Sequence, residues 1–168
     1  MIIAFVGFMG VGKTTISNFI AKKDGFKIIS SDLEIELGTN LKIKDIFAKY
    51  GEQYFRDLEY ETIKNIIENN GDNFILDLGG GAFVQEKNRQ LLKNRVKTIY
   101  LKIPFEILLE RLSLEDERKN RPILQKENWQ NETRKLFESR KKFYELADVT
   151  ISADKSVEKI YEIIKEQI

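Results

Sequence analysis

IIAFVGFMGVGKTT, residues 2–15, decides the fold, because an apolar run typical of a buried strand leads directly into the pattern G-x-x-x-x-G-K-T. Its glycines can adopt backbone angles that other residues avoid, so successive N–H groups can surround an anion. Lys13 offers a positive charge to the β- and γ-phosphates of a nucleotide, and Thr14 offers a hydroxyl to Mg²⁺. The helix predicted to begin here also points its positive end at the phosphates. The stretch therefore predicts a phosphate-binding loop.

A glycine turn that merely joins a strand to a helix is the alternative interpretation. Against it, Ile16, Phe19 and Ile20 follow at helical spacing, as a packed helix after a phosphate-binding loop requires. We therefore expect the nucleotide to bind along one continuous segment, with Thr14 also as the metal ligand: Gly10, Val11, Gly12, Lys13, Thr14 and Thr15.

The composition is that of a single globular domain. The chain has 168 residues, of which 42% are hydrophobic and 33% charged, with a formal net charge of +1. Such a balance gives no general attraction to nucleic acid or to an anionic membrane. The apolar N-terminus has neither a basic region nor a small-residue cleavage site, so we expect no signal peptide and no membrane span. The lack of cysteine fits a cytoplasmic protein.

The sequence contains neither cysteine nor histidine. This excludes disulfides, thiolate nucleophiles, zinc sites built from cysteine or histidine, and imidazole bases. Carboxylates, lysine, arginine, hydroxyls and backbone amides remain, around a hard cation such as Mg²⁺. Phosphoryl transfer needs no more than this, because positioning and neutralisation of charge supply most of its catalysis.

Five apolar runs predict strands, and helical patterns separate them: residues 2–6, 27–30, 74–78, 96–103 and 149–152. The alternation predicts an α/β fold of the P-loop NTPase type. In it a five-stranded parallel sheet is covered by helices on both faces, and ligands bind beyond the carboxyl ends of the strands. The phosphate-binding loop, Ser31-Asp32 and Gly79-Gly80-Gly81 follow the first three strands. We expect functional residues to cluster there.

A helical insertion is predicted between the second and third strands, over residues 33–69, with breaks near Gly38 and Gly51. It is too long for a simple crossover, and its place at the open edge of the sheet suits the binding of a second substrate.

A lid over the nucleotide is predicted for residues 112–124. Its central run, residues 113–122, has almost nothing apolar to bury, and three of its cations could meet phosphate: Arg118, Lys119 and Arg121. A solvated surface loop without a role is the alternative.

Taken together, the motifs resemble the shikimate kinase family, small P-loop kinases related in fold to the nucleoside monophosphate kinases. The matching segments cover nearly the whole chain: 7–14, Asp32, 45–47, 51–56, 78–82, 121–124, and Arg140 with Tyr144. The resemblance implies transfer of the γ-phosphoryl group of ATP, with Mg²⁺, to the 3-hydroxyl of shikimate, a step of aromatic amino acid biosynthesis. We also expect a monomer that binds neither nucleic acid nor membrane.

The same resemblance implies a role for each site residue. On the nucleotide side, Lys13 and Arg121 would be catalytic, with Arg121 reaching from the lid to the transferring phosphate, and Arg111 would lie against adenine. On the acceptor side, Asp32 would be catalytic and would hydrogen-bond the hydroxyls of shikimate. The carboxylate of shikimate would be held by Arg56 and Arg140, and the pocket would be lined by the backbone of Gly79, Gly80 and Gly81.

Arg140 has the strongest case from spacing alone. On a helix predicted for residues 126–146 it shares a face with Phe137 and Tyr144, which have a core-facing pattern. An inward guanidinium needs an anion, and a substrate carboxylate is a fitting bidentate partner. An internal pair with an acidic residue, or extension of the side chain to solvent, is the alternative.

Spacing decides less about the other site residues. Arg56 lies at the edge of an apolar stripe with Tyr60 and Ile63, so it could be a surface residue. Asp32 could serve only as a carboxylate at a helix N-terminus, or it could act as a general base. Arg111 ends a predicted helix, where a solvated cation is the simpler interpretation.

One position departs from the family pattern. The pattern often has an acidic residue, associated with magnesium, two places before the substrate aspartate, and here that position is Ser30. Asp77, in the run Asp77-Leu78-Gly79-Gly80, could reach Mg²⁺ through water. We hypothesise that Asp77 compensates for Ser30. A strand-end carboxylate held by nearby N–H groups is the alternative.

Two other functions remain open at this level. The acceptor could be gluconate, another polyol acid or a nucleoside monophosphate, since two arginines favour an acidic acceptor without naming it. The pattern D-x-x-G at residues 77–80 also allows a GTPase-like switch or a non-catalytic nucleotide-binding module. Against a switch, no Asn-Lys-x-Asp or Thr-Lys-x-Asp follows to read guanine.

Overall fold

The computed structural model describes residues 1–114 and 122–167. Five strands form one sheet, in which every neighbouring pair is parallel and the order is β2-β3-β1-β4-β5. The strands are β1 Ile2–Val6, β2 Lys27–Ser30, β3 Phe74–Asp77, β4 Val96–Lys102 and β5 Val149–Ser152. The predicted α/β fold with a five-stranded parallel sheet is confirmed.

Two strands are one residue shorter than predicted. β3 stops at Asp77, which is where its pairing with β1 stops, at Phe5 opposite Asp77. β4 stops at Lys102, because its last partner on β5 is Ser152 and a proline, Pro104, follows two residues later.

Helices connect the strands. They are α1 Lys13–Asp24, α2 Ser31–Thr39, α3 Ile43–Asn69, α4 Glu86–Leu92, α5 Phe105–Leu112, α6 Trp129–Tyr144 and α7 Val157–Gln167. Two short 3-10 helices cover Ala82–Val84 and Pro122–Gln125. All five residues of β1 are buried. Because successive side chains of a strand point to opposite faces, both faces of the sheet are covered at its centre.

The predicted insertion consists of α2 and α3 and has a small hydrophobic core of its own, formed by Ile35, Ile46 and Phe55. The expected break at Gly51 is found as a kink inside α3, where φ is 81° and ψ is 175°. The expected break near Gly38 is found as well, because the helix stops at Thr39 and the next one begins at Ile43. Gly38 lies within α2, which ends one residue later with Asn40 in the left-handed conformation as its C-cap.

Three loops meet at the carboxyl edge of the sheet. Because β2, β3 and β1 are consecutive in the sheet, the start of α2, the segment after β3 and the phosphate-binding loop lie side by side. Most of the predicted lid, residues 115–121, lies outside the described residues, and with it Arg118, Lys119 and Arg121. Within the described ranges, no helix combines the length and the apolar character that crossing a membrane would require.

Candidate active site

The loop between β1 and α1 has the backbone of an anion site. Gly12, the residue before α1, has a φ of 103°, a value that favours glycine. No side chain caps this end of α1 among the described residues, so the backbone N–H groups are open to an anion. The ammonium of Lys13 donates to the carbonyls of Gly7 at 2.8 Å and Phe8 at 3.1 Å. Lys13 therefore lies folded over the loop that is expected to hold the phosphates.

One cavity of about 380 Å³ joins this loop to the ends of β2 and β3. Its walls include Lys13 and Thr14 on one side and Asp32 and Asp77 on the other, together with Gly79 and Gly80. A phosphate on the loop and an acceptor beside Asp32 would therefore share one cavity. In-line transfer between two bound substrates requires such an arrangement.

Three of the predicted site residues lie against residues 79–81, the glycine turn. A Cβ atom on Gly79 would lie 2.8 Å from Oδ1 of Asp32, and one on Gly81 would lie 2.7 Å from Nη2 of Arg56. A Cβ atom on Gly80 would lie 3.6 Å from Nη1 of Arg140, the third of these residues. The three side chains come from α2, α3 and α6, so only folding brings them together.

Asp32 does not cap α2. Ser30 does, because its hydroxyl accepts from the N–H of Leu33 at 3.4 Å. Oδ1 of Asp32 is buried and has no hydrogen-bond partner among the described residues. Burial raises the pKa of Asp32, and the nearby Asp77 carboxylate raises it further. A buried acceptor oxygen without a donor suits the hydroxyl of a bound polyol.

Arg56 is held from two sides. Its Nη1 donates to both carboxylate oxygens of Glu59, at 3.0 and 3.2 Å, and its Nε lies 3.4 Å from Glu52. The Arg56 side chain is only 13% exposed, so the interpretation as a surface residue is wrong.

Glu59, which sequence reasoning missed, is a buried carboxylate at the rear of the site. Burial raises the pKa of Glu59, and the charge of Arg56 opposes that rise. The amide of Asn88 donates to Glu59 at 3.4 Å and to the carbonyl of Ala82 at 3.0 Å. The spacing could have indicated this contact, since Glu59 stands three residues after Arg56 and four before Ile63, which is fully buried, so the three share one helix face.

Arg140 lies on α6 between the buried side chains of Phe137 and Tyr144. The helix is shorter than predicted, running from Trp129 to Tyr144. No carboxylate pairs with Arg140 within the described part of the chain, so an internal ion pair is not found there. The hydroxyl of Tyr144, one turn further along α6, donates to the carbonyl of Gly80 at 2.8 Å, and the charge of Arg140 opposes the rise that burial causes in the pKa of Tyr144.

Asp77 lines the shared cavity close to Lys13. Burial raises the pKa of Asp77, and the charge of Lys13 opposes the rise. Ser30, whose hydroxyl caps α2, faces the same cavity. The described residues contain no cluster of three acidic side chains able to hold a metal ion alone. Asp77 is thus placed beside the phosphate loop, where the hypothesis of compensation requires it.

Arg111 is not a simple solvated cation. Its guanidinium donates to the carbonyl of Val11 at 3.2 Å and to that of Ala153 at 3.1 Å. It lines a second cavity of about 360 Å³ on the far side of the phosphate-binding loop. This cavity has the mixed apolar and basic lining that suits a nucleotide base.

The phosphate-binding loop and the glycine turn border one cavity, an arrangement typical of a P-loop kinase that acts on a small molecule. The chain also matches the model of the shikimate kinase family over residues 9–168. It belongs to the shikimate kinase family.

Known proteins of this family align with almost the whole chain. The shikimate kinase of Persephonella marina is 41% identical over 152 residues, which cover 90% of this chain and 88% of that protein. The solved shikimate kinase of Acinetobacter baumannii in complex with shikimate is 37% identical, with a TM-score of 0.82 over 99% of this chain and 93% of that one. That of Bacteroides thetaiotaomicron is 27% identical, with a TM-score of 0.88 over 99% and 97%.

Membership of the family identifies the activity as ATP-dependent phosphorylation of shikimate, in aromatic amino acid biosynthesis. The enzyme class and the ATP co-substrate predicted from the sequence are thereby confirmed. The GTPase-like interpretation of residues 77–80 loses its support.

Proposed function

We propose that the shared cavity is the active centre and that its residues divide into a phosphate side and an acceptor side. The observation that carries this proposal is the convergence of Asp32, Arg56 and Arg140 on the glycine turn, at the edge of a cavity that also contains Lys13 and Thr14. The predicted activity is transfer of the γ-phosphoryl group of ATP to the 3-hydroxyl of shikimate.

On the acceptor side, Arg56 and Arg140 hold the carboxylate of shikimate, because two guanidinium groups at one turn provide a strong site for a planar anion. Asp32 accepts a hydrogen bond from a ring hydroxyl through its unpartnered oxygen. Its raised pKa makes Asp32 a better proton acceptor than an ordinary carboxylate, although a loose transition state demands little from a base. Together these contacts fix the reacting hydroxyl toward the phosphate-binding loop.

On the phosphate side, the backbone N–H groups of Gly10, Val11 and Gly12 and the ammonium of Lys13 hold the phosphates. Lys13 exchanges its bonds to the loop carbonyls for the phosphate oxygens. Thr15 and Arg111 contribute toward the nucleoside, with Arg111 against the base. Arg121, which lies outside the described residues, remains a predicted contact of the transferring phosphoryl group, as does the lid of residues 112–124.

The residues present fit a magnesium ion, although this cofactor too is part of the proposal. Thr14 supplies a hydroxyl, the carboxylates of Asp32 and Asp77 face the same cavity, and the charge of Asp77 raises the pKa of Asp32. A cation between them and the phosphates would relieve that repulsion. When bound, Mg²⁺ supplies charge neutralisation to the transferring phosphoryl group. A monomer in the cytoplasm, with no nucleic acid or membrane partner, completes the proposal.

Incubation of the purified enzyme with ATP, Mg²⁺ and shikimate tests this proposal. The expected product gains one phosphate by mass spectrometry, and ³¹P–¹H coupling places it on the 3-hydroxyl. Gluconate and nucleoside monophosphates serve as comparison acceptors. Faster ADP release with either of them, or phosphate on another hydroxyl, would contradict the proposed acceptor geometry.

A further inference from the structure

We propose that Tyr144 is a positioning residue that holds the guanidinium of Arg140 over the glycine turn, where it meets the carboxylate of the acceptor. The proposal rests on the carboxylate-binding role given to Arg140 above. It assigns a function to a side chain that contacts neither substrate in that scheme.

Both side chains end at the same glycine. Tyr144 follows Arg140 by one helical turn on α6, so the two residues lie on one face of the helix. The hydroxyl of Tyr144 donates to the carbonyl of Gly80 at 2.8 Å. The Nη1 atom of Arg140 lies 3.6 Å from the position that a Cβ atom on Gly80 would occupy. The phenol and the guanidinium are therefore neighbours at the middle residue of the turn.

The chemistry of the three groups fixes the direction of their hydrogen bonds. The carbonyl of Gly80 can only accept, so the single proton of the Tyr144 hydroxyl is used there. The hydroxyl lone pairs are then left for the guanidinium of Arg140, which can only donate. In agreement, the charge and hydrogen bond of Arg140 lower the pKa of Tyr144, against the larger effect of burial, which raises it.

Tyr144 is itself rigidly held. Its side chain is 1% exposed, and its ring packs against that of Tyr100, with the ring centroids 5.6 Å apart. A long arginine side chain that hydrogen-bonds such a fixed group loses conformational freedom before the substrate arrives. Binding of the carboxylate then costs less entropy, because the guanidinium is already in place.

A neutral partner also preserves the charge of Arg140. Arg56 is oriented by Glu59 and Glu52, whose carboxylates offset its positive charge. Tyr144 orients Arg140 without offsetting its charge, so Arg140 presents an unpaired positive charge to the substrate within the described residues. The two arginines thus differ in how they are oriented, Arg56 by carboxylates and Arg140 by a neutral phenol.

Tyr144→Phe removes the hydroxyl and leaves the ring in place. We expect the KM for shikimate to rise about fivefold, the scale of one lost hydrogen bond, with kcat and the KM for ATP within about twofold of wild type. Tyr100→Phe is the matched control, because it deletes a hydroxyl from the adjacent buried ring. It should leave all three constants within about twofold. Equal effects of the two variants on the KM for shikimate would overturn the proposal.

Shikimate methyl ester, a neutral acceptor, separates positioning from general stabilisation of the turn. We expect Tyr144→Phe to leave the KM for the ester within about twofold of wild type, because the effect acts through attraction to a carboxylate. A fivefold rise with the ester as well would overturn the proposal.

Arg140→Ala distinguishes failure of the carboxylate-binding role of Arg140 from failure of the positioning role of Tyr144. If Arg140→Ala leaves the KM for shikimate unchanged, the carboxylate role of Arg140 fails. If only Tyr144→Phe is without effect, the positioning role alone fails.

Discussion

Gly81 and Arg56 are in such close contact that a Cβ atom on the glycine would lie 2.7 Å from Nη2 and 3.0 Å from Nη1 of the arginine. The φ of Gly81 is −96°, a value open to any residue. The glycine is therefore required for space and not for backbone conformation. Its missing side chain lets the guanidinium lie directly on the turn that borders the acceptor site.

Gly81→Ala should raise the KM for shikimate about tenfold, because the new methyl group displaces Arg56, and overpacking of this kind costs about 1–3 kcal/mol. Steady-state kinetics with shikimate as the varied substrate measures the effect. Gly80→Ala is the matched control, since its Cβ atom would lie 3.6 Å from Arg140, an ordinary contact. An equal rise in KM for both variants would show that the turn responds to any substitution.

Arg56→Ala should destabilise the protein, whereas Arg140→Ala should not. Removal of Arg56 leaves the buried carboxylate of Glu59 without its charged partner, which typically costs about 3–5 kcal/mol. Arg140 pairs with no carboxylate among the described residues, so its removal leaves no buried charge unpaired there. It should change the free energy of unfolding by less than about 1 kcal/mol. Urea denaturation measures both. Both variants should lower kcat/KM for shikimate about 10- to 100-fold, as expected for a lost charge-assisted hydrogen bond.

Asp32→Asn should stabilise the protein at neutral pH while it abolishes most activity. Burial raises the pKa of Asp32 in the folded state, so folding favours the protonated form. The stability that this group contributes is present at low pH and is lost as the pH rises through the raised pKa. Asparagine is neutral at every pH, so the gain in stability of Asp32→Asn over wild type should vanish below the ordinary pKa of an aspartate. Thermal denaturation at several pH values measures this, and a gain of about 1 kcal/mol raises Tm by about 2–4 °C. A lower Tm at neutral pH would contradict the prediction.

Asp77→Asn should change both the pH profile and the magnesium requirement. The Asp77 carboxylate raises the pKa of Asp32, so its neutralisation lowers that pKa. We expect the acid limb of the kcat/KM profile to move to lower pH and the concentration of Mg²⁺ for half-maximal rate to rise. Asp72→Asn, which neutralises an exposed aspartate, is the control. Unchanged turnover and magnesium dependence in Asp77→Asn would reject the idea that Asp77 compensates for Ser30.

Arg111→Ala should raise the KM for ATP about fivefold and leave the KM for shikimate unchanged. The guanidinium is anchored between the carbonyls of Val11 and Ala153, and stacking of a cation on an aromatic base is worth about 1 kcal/mol. Arg95→Ala, which removes a cation whose partner Glu68 is 3.9 Å away near the surface, is the control. A rise in the KM for shikimate would instead indicate a general disturbance of the loop.

Features encoded in consecutive residues could be predicted from the sequence. Residues 2–15 gave both the first strand and the phosphate-binding loop, because a buried run followed by glycines at fixed spacing has few other structures open to it. The five strands were also correct to within one residue. The break expected near Gly38 was also correct to within two residues, although Asn40, not the glycine, takes the left-handed conformation that ends the helix.

Contacts between distant segments could not be predicted in the same way. Glu59 was missed because its spacing from Arg56 does not show that the pair is buried, and Tyr144 was predicted only as a core-facing residue and as part of a motif. The environment of Asp32 depends on Asp77, which is adjacent only because β2 and β3 pair in the sheet.

The sequence by itself determined the phosphate-binding loop, the parallel α/β architecture and the chemical types present, since each follows from local spacing or from composition. Tertiary structure decided how the acceptor side is built. It placed Asp32, Arg56 and Arg140 on one glycine turn and gave Arg56 a buried carboxylate partner that Arg140 lacks among the described residues. The reason is that the helices carrying these residues meet only through the order of the strands, and contacts made on folding, not spacing, set the orientation of their side chains.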